Sequence, residues 1–233
     1  MTLNLRNAIR QRSGPIRFVV LSQPRTGSSL LTGSIRWHPQ VLMQGEILNR
    51  HYQRPDLPDD DGAQRFRVAL SSSDHDAVGC KMHACQPDAG FERWESAWDA
   101  LADDPSVKVI HLYRRSMLAQ LASWRIAGQL NRWGDQTDVA ERPVIEVDDG
   151  ELKWFRRFNA IAYQARLNRL RHHSILPIAY ESLRDNWDSM VEVVLRFIGV
   201  DPIRLEPCAI RSETRPLEQV ISNYQEVAGG TDV

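Results

Sequence analysis

The sequence predicts an α/β protein, a P-loop-like three-layer fold with a mainly parallel central sheet flanked by helices. Two observations carry this. Five short apolar stretches of strand length alternate with helix-like stretches of ten or more residues, the pattern of a parallel sheet covered on both faces. The first strand also runs directly into a Gly/Ser/Thr turn that opens an apolar helix. Such a strand, turn and helix N-terminus form an anion cradle, because the first helical N–H groups have no internal partners.

The first strand centres on Phe18-Val19-Val20-Leu21, and the helix after its turn is expected over residues 28–37. A second strand is expected over 40–43 and a polar loop, RPDLPDDDG, over 54–62. A helix over 62–72, a strand over 77–83 and a helix over 90–102 follow. The fourth strand covers 107–113 and leads into a helix over 116–131. Residues 132–149 are polar and aperiodic with an internal Pro143, the character of a recognition loop or lid. A helix over 152–171, a strand over 174–180 and a helix over 186–198 complete the pattern. No internal repeat or composition break divides the chain, so one domain spanning residues 1–233 is expected. Ligands of such sheets bind outside the carboxyl ends of the strands, where the chemical motifs of this sequence lie.

Bulk composition narrows the class. Hydrophobic content of 42% and charged content of 25% fit a globular protein. A formal net charge of −1 provides no field for nucleic acid or an anionic membrane, so affinity for phosphate has to come from local arginines and lysines. No apolar run reaches the ~18 residues of a membrane span, and the first residues lack a signal-peptide core. Three cysteines, Cys80, Cys85 and Cys208, form an odd set without metal-ligand spacing. Reduced thiols in a cytoplasmic protein are therefore expected.

Laid on the Walker pattern GxxxxGK[ST], the turn reads Ser22-Gln23-Pro24-Arg25-Thr26-Gly27-Ser28-Ser29. The last glycine and the hydroxyl are retained, Ser28 stands at the lysine position, and the cation has moved upstream to Arg25. That departure argues against ATP or GTP and for another phosphorylated donor.

A strand followed by PRTGSS resembles the 5′-phosphosulfate loop of sulfotransferases that use 3′-phosphoadenosine 5′-phosphosulfate (PAPS). Trp37-His38-Pro39-Gln40-Val41 and Gly45-Glu46 resemble the bacterial branch typified by trehalose and nodulation-factor sulfotransferases. The likeness is dense over residues 16–49 and 107–124, weaker over 174–224 and absent from the middle loops. It implies sulfonate transfer from PAPS to a hydroxyl of a carbohydrate, glycolipid or small metabolite, with adenosine 3′,5′-bisphosphate as product and no metal. Two alternatives are a P-loop kinase or hydrolase, which would need Mg²⁺ and a Walker-B aspartate, and a catalytically silent nucleotide-binding protein.

By this resemblance Pro24, Arg25, Thr26, Gly27, Ser28 and Ser29 hold the 5′-phosphate and sulfonate, with Arg25 offsetting charge on the bridging oxygen. The family's 3′-phosphate site pairs an arginine at a strand end with a serine eight residues later. Arg115 and Ser123 have that spacing, whereas Arg114 fits better counted from the strand, so both arginines are candidates with Arg115 first. A basic C-terminal segment commonly closes the donor pocket, which makes Arg211, Thr214 and above all Arg215 candidates. For the catalytic base, Glu46 matches the bacterial branch and is preferred. His83 is the rival, and Lys81 its transition-state partner, because Lys81-Met82-His83 puts both polar groups on one strand face as in the KTH element of cytosolic sulfotransferases. Trp94 and Trp98 read as core, Trp124 or Trp133 as a possible sugar platform, and His172-His173 as a solvated helix end.

Overall fold

Phe18, Val19, Val20 and Leu21 are completely buried in the computed structural model, so the strand they build, β1 (Ile16–Ser22), lies at the centre of the sheet. The structure describes residues 14–51, 54–71, 74–87, 90–133, 142–208 and 215–229. Four further strands, β2 (Val41–Glu46), β3 (Ala77–His83), β4 (Lys108–Tyr113) and β5 (Ile175–Ala179), complete a sheet of order β2-β3-β1-β4-β5. The pairings of β1 with β3, β1 with β4, β2 with β3 and β4 with β5 are all parallel. Pro177 is accommodated because β5 is an edge strand, where a missing N–H can face away from the ladder. The chain leaves β1 toward β2 on one side and later crosses to β4 on the other. The order therefore reverses at β1, and the crevice expected of such a reversal opens at its carboxyl end.

The helices are α1 (Ser28–Ile35), α2 (Gly62–Ala69), α3 (Ser96–Ala102), α4 (Met117–Gln129), α5 (Asp149–Arg169), α6 (Tyr180–Asp185), α7 (Trp187–Ile198), α8 (Leu217–Val220) and α9 (Tyr224–Ala228). Strand alternation divides the core in two. Val19, Leu21, Val78, Met82 and Val109 face Phe66, Trp94, Trp98 and Leu101, while Phe18, Val20, Ile110 and Leu112 face Leu31, Ile35, Val194 and Leu195. A third apolar cluster, including Leu121, Phe155, Ile145 and Ile221, joins α4 and α5 to the C-terminal segment.

Several boundaries differ from the sequence reading. The helix expected over 90–102 starts as a 3-10 turn, Glu92–Glu95, before α3. α6 follows β5 with no intervening loop, so Tyr180 opens a helix instead of closing a strand. Within the loop expected over 132–149, Ile145 makes an isolated parallel bridge to Ile221 and Asp149 already opens α5. His173 is not solvated: it is buried and its Nδ1 lies 2.8 Å from the carbonyl of Val107. That bond joins the turn after α5 to the start of β4 and explains why the ring is drawn inward.

Gly79 of β3 lies directly under the Phe18 ring, where a Cβ would come within 2.2 Å of a ring carbon. Both strands are central, so neither backbone can retreat. Gly79→Ala is expected to destabilise the fold by about 1–3 kcal/mol through overpacking. Urea unfolding would show it as a lower midpoint at unchanged slope; an unchanged midpoint would mean that Phe18 turns aside freely.

Candidate active site

The turn after β1 is held open by its own backbone. Arg25 (φ 67°) and Gly27 (φ 80°) both lie in the left-handed region, which costs little for glycine but strains arginine. Thr26 Oγ1 donates to the carbonyl of Gln23 at 2.7 Å, and Gln120 Nε2 of α4 donates to the carbonyl of Pro24 at 2.9 Å. No side chain caps α1, so its first N–H groups face the mouth of the turn. Behind it stands Tyr180, whose ring is so close that a Cβ on Gly27 would come within 2.5 Å. The glycine is therefore required twice, by conformation and by contact. Ser28 is buried and Ser29 half-buried on the first turn of α1.

Arg25 reaches across to α4. Its Nε donates to Ser123 Oγ at 3.0 Å and its Nη1 to the carbonyl of Trp133 at 3.2 Å. Of the two arginines after β4, Arg114 is the one brought to the turn: its Nη1 donates to the carbonyl of Arg25 at 3.3 Å and its guanidinium lies 4.8 Å from the Tyr180 ring centre. Arg115, ranked first from its spacing, is exposed and points away, donating from Nη2 to Ser182 Oγ at 2.9 Å. The reason is local. Glu181 of α6 accepts from the backbone N–H groups of Arg115 and Ser116, at 3.1 and 3.2 Å, and pins that corner with the Arg115 side chain toward α6.

On the other side of β1 lies a polar cluster. Register pairs Ser22 with His83 and Glu46 with Lys81, so four side chains meet at one rim. Lys81 Nζ is 2.9 Å and His83 Nε2 3.3 Å from Glu46 Oε2, while His83 Nδ1 is 2.9 Å from Ser22 Oγ. Gln86 Nε2 donates to the other carboxylate oxygen, Glu46 Oε1, at 2.7 Å. Burial alone would raise the Glu46 pKa, but the hydrogen bonds and charges of His83 and Lys81 reverse that and hold its carboxyl well below the usual carboxylate range. The fold thus brings Glu46, Lys81 and His83 into one unit in which they are partners. Sequence reasoning missed Ser22, Gln86, Gln120 and Tyr180, since each acquires its role from a contact with a distant segment.

Arg215 donates to the carbonyls of Arg142 and Pro143, at 3.3 Å each, and so ties the C-terminal segment to the end of the 132–149 stretch. Arg211 and Thr214 lie outside the described residues, as do residues 134–141 of that stretch. Trp124 and Trp133 meet edge to face at 6.3 Å, with Trp133 about half exposed, beside a hollow of about 330 Å³ that Arg125, Gly128 and Gln129 also line. Among the described residues no three His, Cys, Asp or Glu side chains cluster as a metal site.

This arrangement can be set beside known proteins. The chain is 31% identical over 231 residues to nodulation protein H of Rhizobium meliloti strain 1021, covering 91% of this chain and 90% of that protein. It is 29% identical over 242 residues to nodulation protein H of Rhizobium tropici, covering 95% and 93% respectively. A sulfotransferase from Alicyclobacillus acidocaldarius, of known crystal structure, superposes with a TM-score of 0.53 over 87% of each chain at 15% identity, a likeness of fold. No family model matches the chain.

One titration follows from the geometry. His111 lies on β4 between the rings of Tyr113 and Tyr163, its Nε2 buried without a hydrogen-bond partner, and burial pushes its pKa down to about 4. A histidine depressed in the fold leaves more protons on the unfolded chain between its two pKa values, so stability must fall as pH drops from about 6.5 toward 4. At about 1.4 kcal/mol per pKa unit the loss approaches 3 kcal/mol. Urea titrations across that window should show the slope in the wild type and its loss in His111→Phe; parallel curves would refute it.

Proposed function

The chain belongs to the nodulation protein H family of sulfotransferases, and from that premise we propose that it transfers the sulfonate of PAPS to a hydroxyl of a carbohydrate, glycolipid or similar small acceptor. The observation that carries this reading is the pairing of an anion cradle with a carboxylate cluster across the end of β1. Pro24 to Ser29 would hold the 5′-phosphosulfate with backbone N–H and hydroxyl donors. Ser123 with Arg114, and Arg115 on the rim, would take the 3′-phosphate, and Arg215 remains a candidate for closing the pocket. The contact of Arg25 with Ser123 supports the two anion sites being neighbours.

The acid–base part falls to Glu46. Both ring nitrogens of His83 are engaged, Nδ1 at 2.9 Å from the Ser22 hydroxyl and Nε2 at 3.3 Å from the Glu46 carboxylate. That leaves His83 no free ring nitrogen for an incoming hydroxyl, whereas Glu46 stays ionised at neutral pH. Glu46 takes the acceptor proton as the acceptor oxygen bonds to sulfur and the bond from sulfur to the phosphate oxygen breaks. Arg25 offsets the negative charge left on that oxygen, and Lys81 offsets charge on the equatorial oxygens. Protein cations supply this compensation, so the reading invokes no metal. The kinase or hydrolase alternative is not favoured, since Ser28 stands where the Walker lysine would be. Among the described residues no helix is long and apolar enough to cross a membrane, and we propose a cytoplasmic enzyme that acts without nucleic acid.

Two measurements test the reading. Glu46→Gln should lower kcat by about 10²–10⁴-fold and leave the donor Kd unchanged, with His83→Gln milder; full activity of Glu46→Gln would remove it as the base. Calorimetry without added metal should show adenosine 3′,5′-bisphosphate binding well above AMP. Equal affinities would overturn the 3′-phosphate assignment of Arg114, Arg115 and Ser123.

A further inference from the structure

Glu46 is the last residue of β2 and is paired in the sheet from one side, through Lys81. β2 is an edge strand, its register with β3 shifts between Met43 and Glu46, and Gly45 just before it lies at φ 75°. The ladder therefore holds Glu46 from one side only, whereas Lys81 and His83 lie on β3, which pairs with β1 as well. We propose that Gln86 is the positioning residue that supplies further support, fixing the Glu46 carboxylate so that Oε2 is turned to Lys81 and His83.

Gln86 is 5% exposed and every polar group on it is engaged. Its Nε2 donates to Glu46 Oε1 at 2.7 Å, and its Oε1 accepts from the backbone N–H of His83 at 3.1 Å. Its own N–H donates to the carbonyl of His83 at 2.9 Å. Its carbonyl accepts from Trp98 Nε1 at 2.8 Å and from Arg166 Nη2 at 3.0 Å. The backbone of Gln86 is thus anchored to α3, α5 and β3, and its side-chain amide reaches from there between the His83 N–H and the Glu46 carboxylate. Its orientation is not arbitrary. The His83 N–H needs an acceptor and the carboxylate needs a donor, and a single amide orientation serves both. A glutamate of equal length could accept from His83 but would offer no proton to Glu46. A methionine would fill the space and do neither.

The charged groups around Glu46 are Lys81 and His83 of β3, Arg54 on the carbonyl and side chain of Gln44, Arg36 at the C-terminal cap of α1 near Gly45, and the Arg166–Glu95 pair beyond Gln86. In the wild type this surrounding keeps Glu46 ionised. In Q86E a second carboxylate stands against it, and like charges in contact raise the pKa of one of the pair.

The inference rests on Glu46 being the base, and the test separates the two. Q86M should lower kcat roughly ten- to hundredfold by misplacing the carboxylate, with the KM for PAPS unchanged. Q86E should shift the acid limb of the kcat profile to higher pH, with activity recovered on raising the pH, a rescue that a folding defect would not give. Carboxyl-¹³C NMR titration of Glu46 in the wild type and in Q86E reads the contact without turnover. A raised Glu46 titration with an unmoved rate profile would support the positioning role and overturn the base assignment. An unmoved titration, or wild-type kcat in Q86M, would overturn the role of Gln86.

Discussion

β1 is hydrogen-bonded on both sides, to β3 and to β4, and buried on both faces. Because parallel strands end at the same rim, this double pairing sets what can lie at the mouth of the turn after Ser22. β3 brings Lys81 and His83 to one flank, and β4 brings Arg114 and the start of α4 to the other. The anion cradle itself is local, being made of one strand end, a turn and one helix N-terminus. What makes it a candidate active site is that the sheet order puts a carboxylate cluster on one side of it and Arg114 on the other.

The turn stores strain and has the contacts to hold it. A left-handed arginine costs of order 1–3 kcal/mol unless its surroundings over-determine it. Here the Arg25 side chain is drawn to Ser123 and the Trp133 carbonyl, its own carbonyl accepts from Arg114, and Tyr180 blocks movement behind Gly27. α4, the end of β4 and α6 thus act together on the five residues between β1 and α1. The guanidinium is fixed in advance, so in the proposed transfer little reorganisation would be left for the moment at which charge develops.

Across β1 the same logic runs through hydrogen bonds. Glu46 is surrounded by donors, Lys81 and His83 on one oxygen and Gln86 on the other. Such a carboxylate is stable as an anion but weak as a base, so the base proposed here would be productive only if an acceptor hydroxyl replaced part of that stabilisation on entering. His83 meets Glu46 through Nε2 and Ser22 through Nδ1, so the rival candidates of the sequence are adjacent members of one hydrogen-bonded chain.

The sequence by itself determined the parallel sheet, since strand and helix periods are written locally. It also determined the anion turn, because the absence of a Walker lysine and the placing of Pro24 to Ser29 are matters of order along the chain. Glu46, Lys81 and His83 were legible as candidates for the same reason. Tertiary structure alone decided their relations. Glu181 from a helix about 65 residues away turns Arg115 aside and leaves Arg114 at the turn. A register pairing sets Glu46 against Lys81, and Gln86, an unremarked residue in a turn, becomes a partner of the carboxylate. Such outcomes depend on distances between segments far apart in the chain, and a distance of that kind is fixed by packing, which no local pattern of residues encodes.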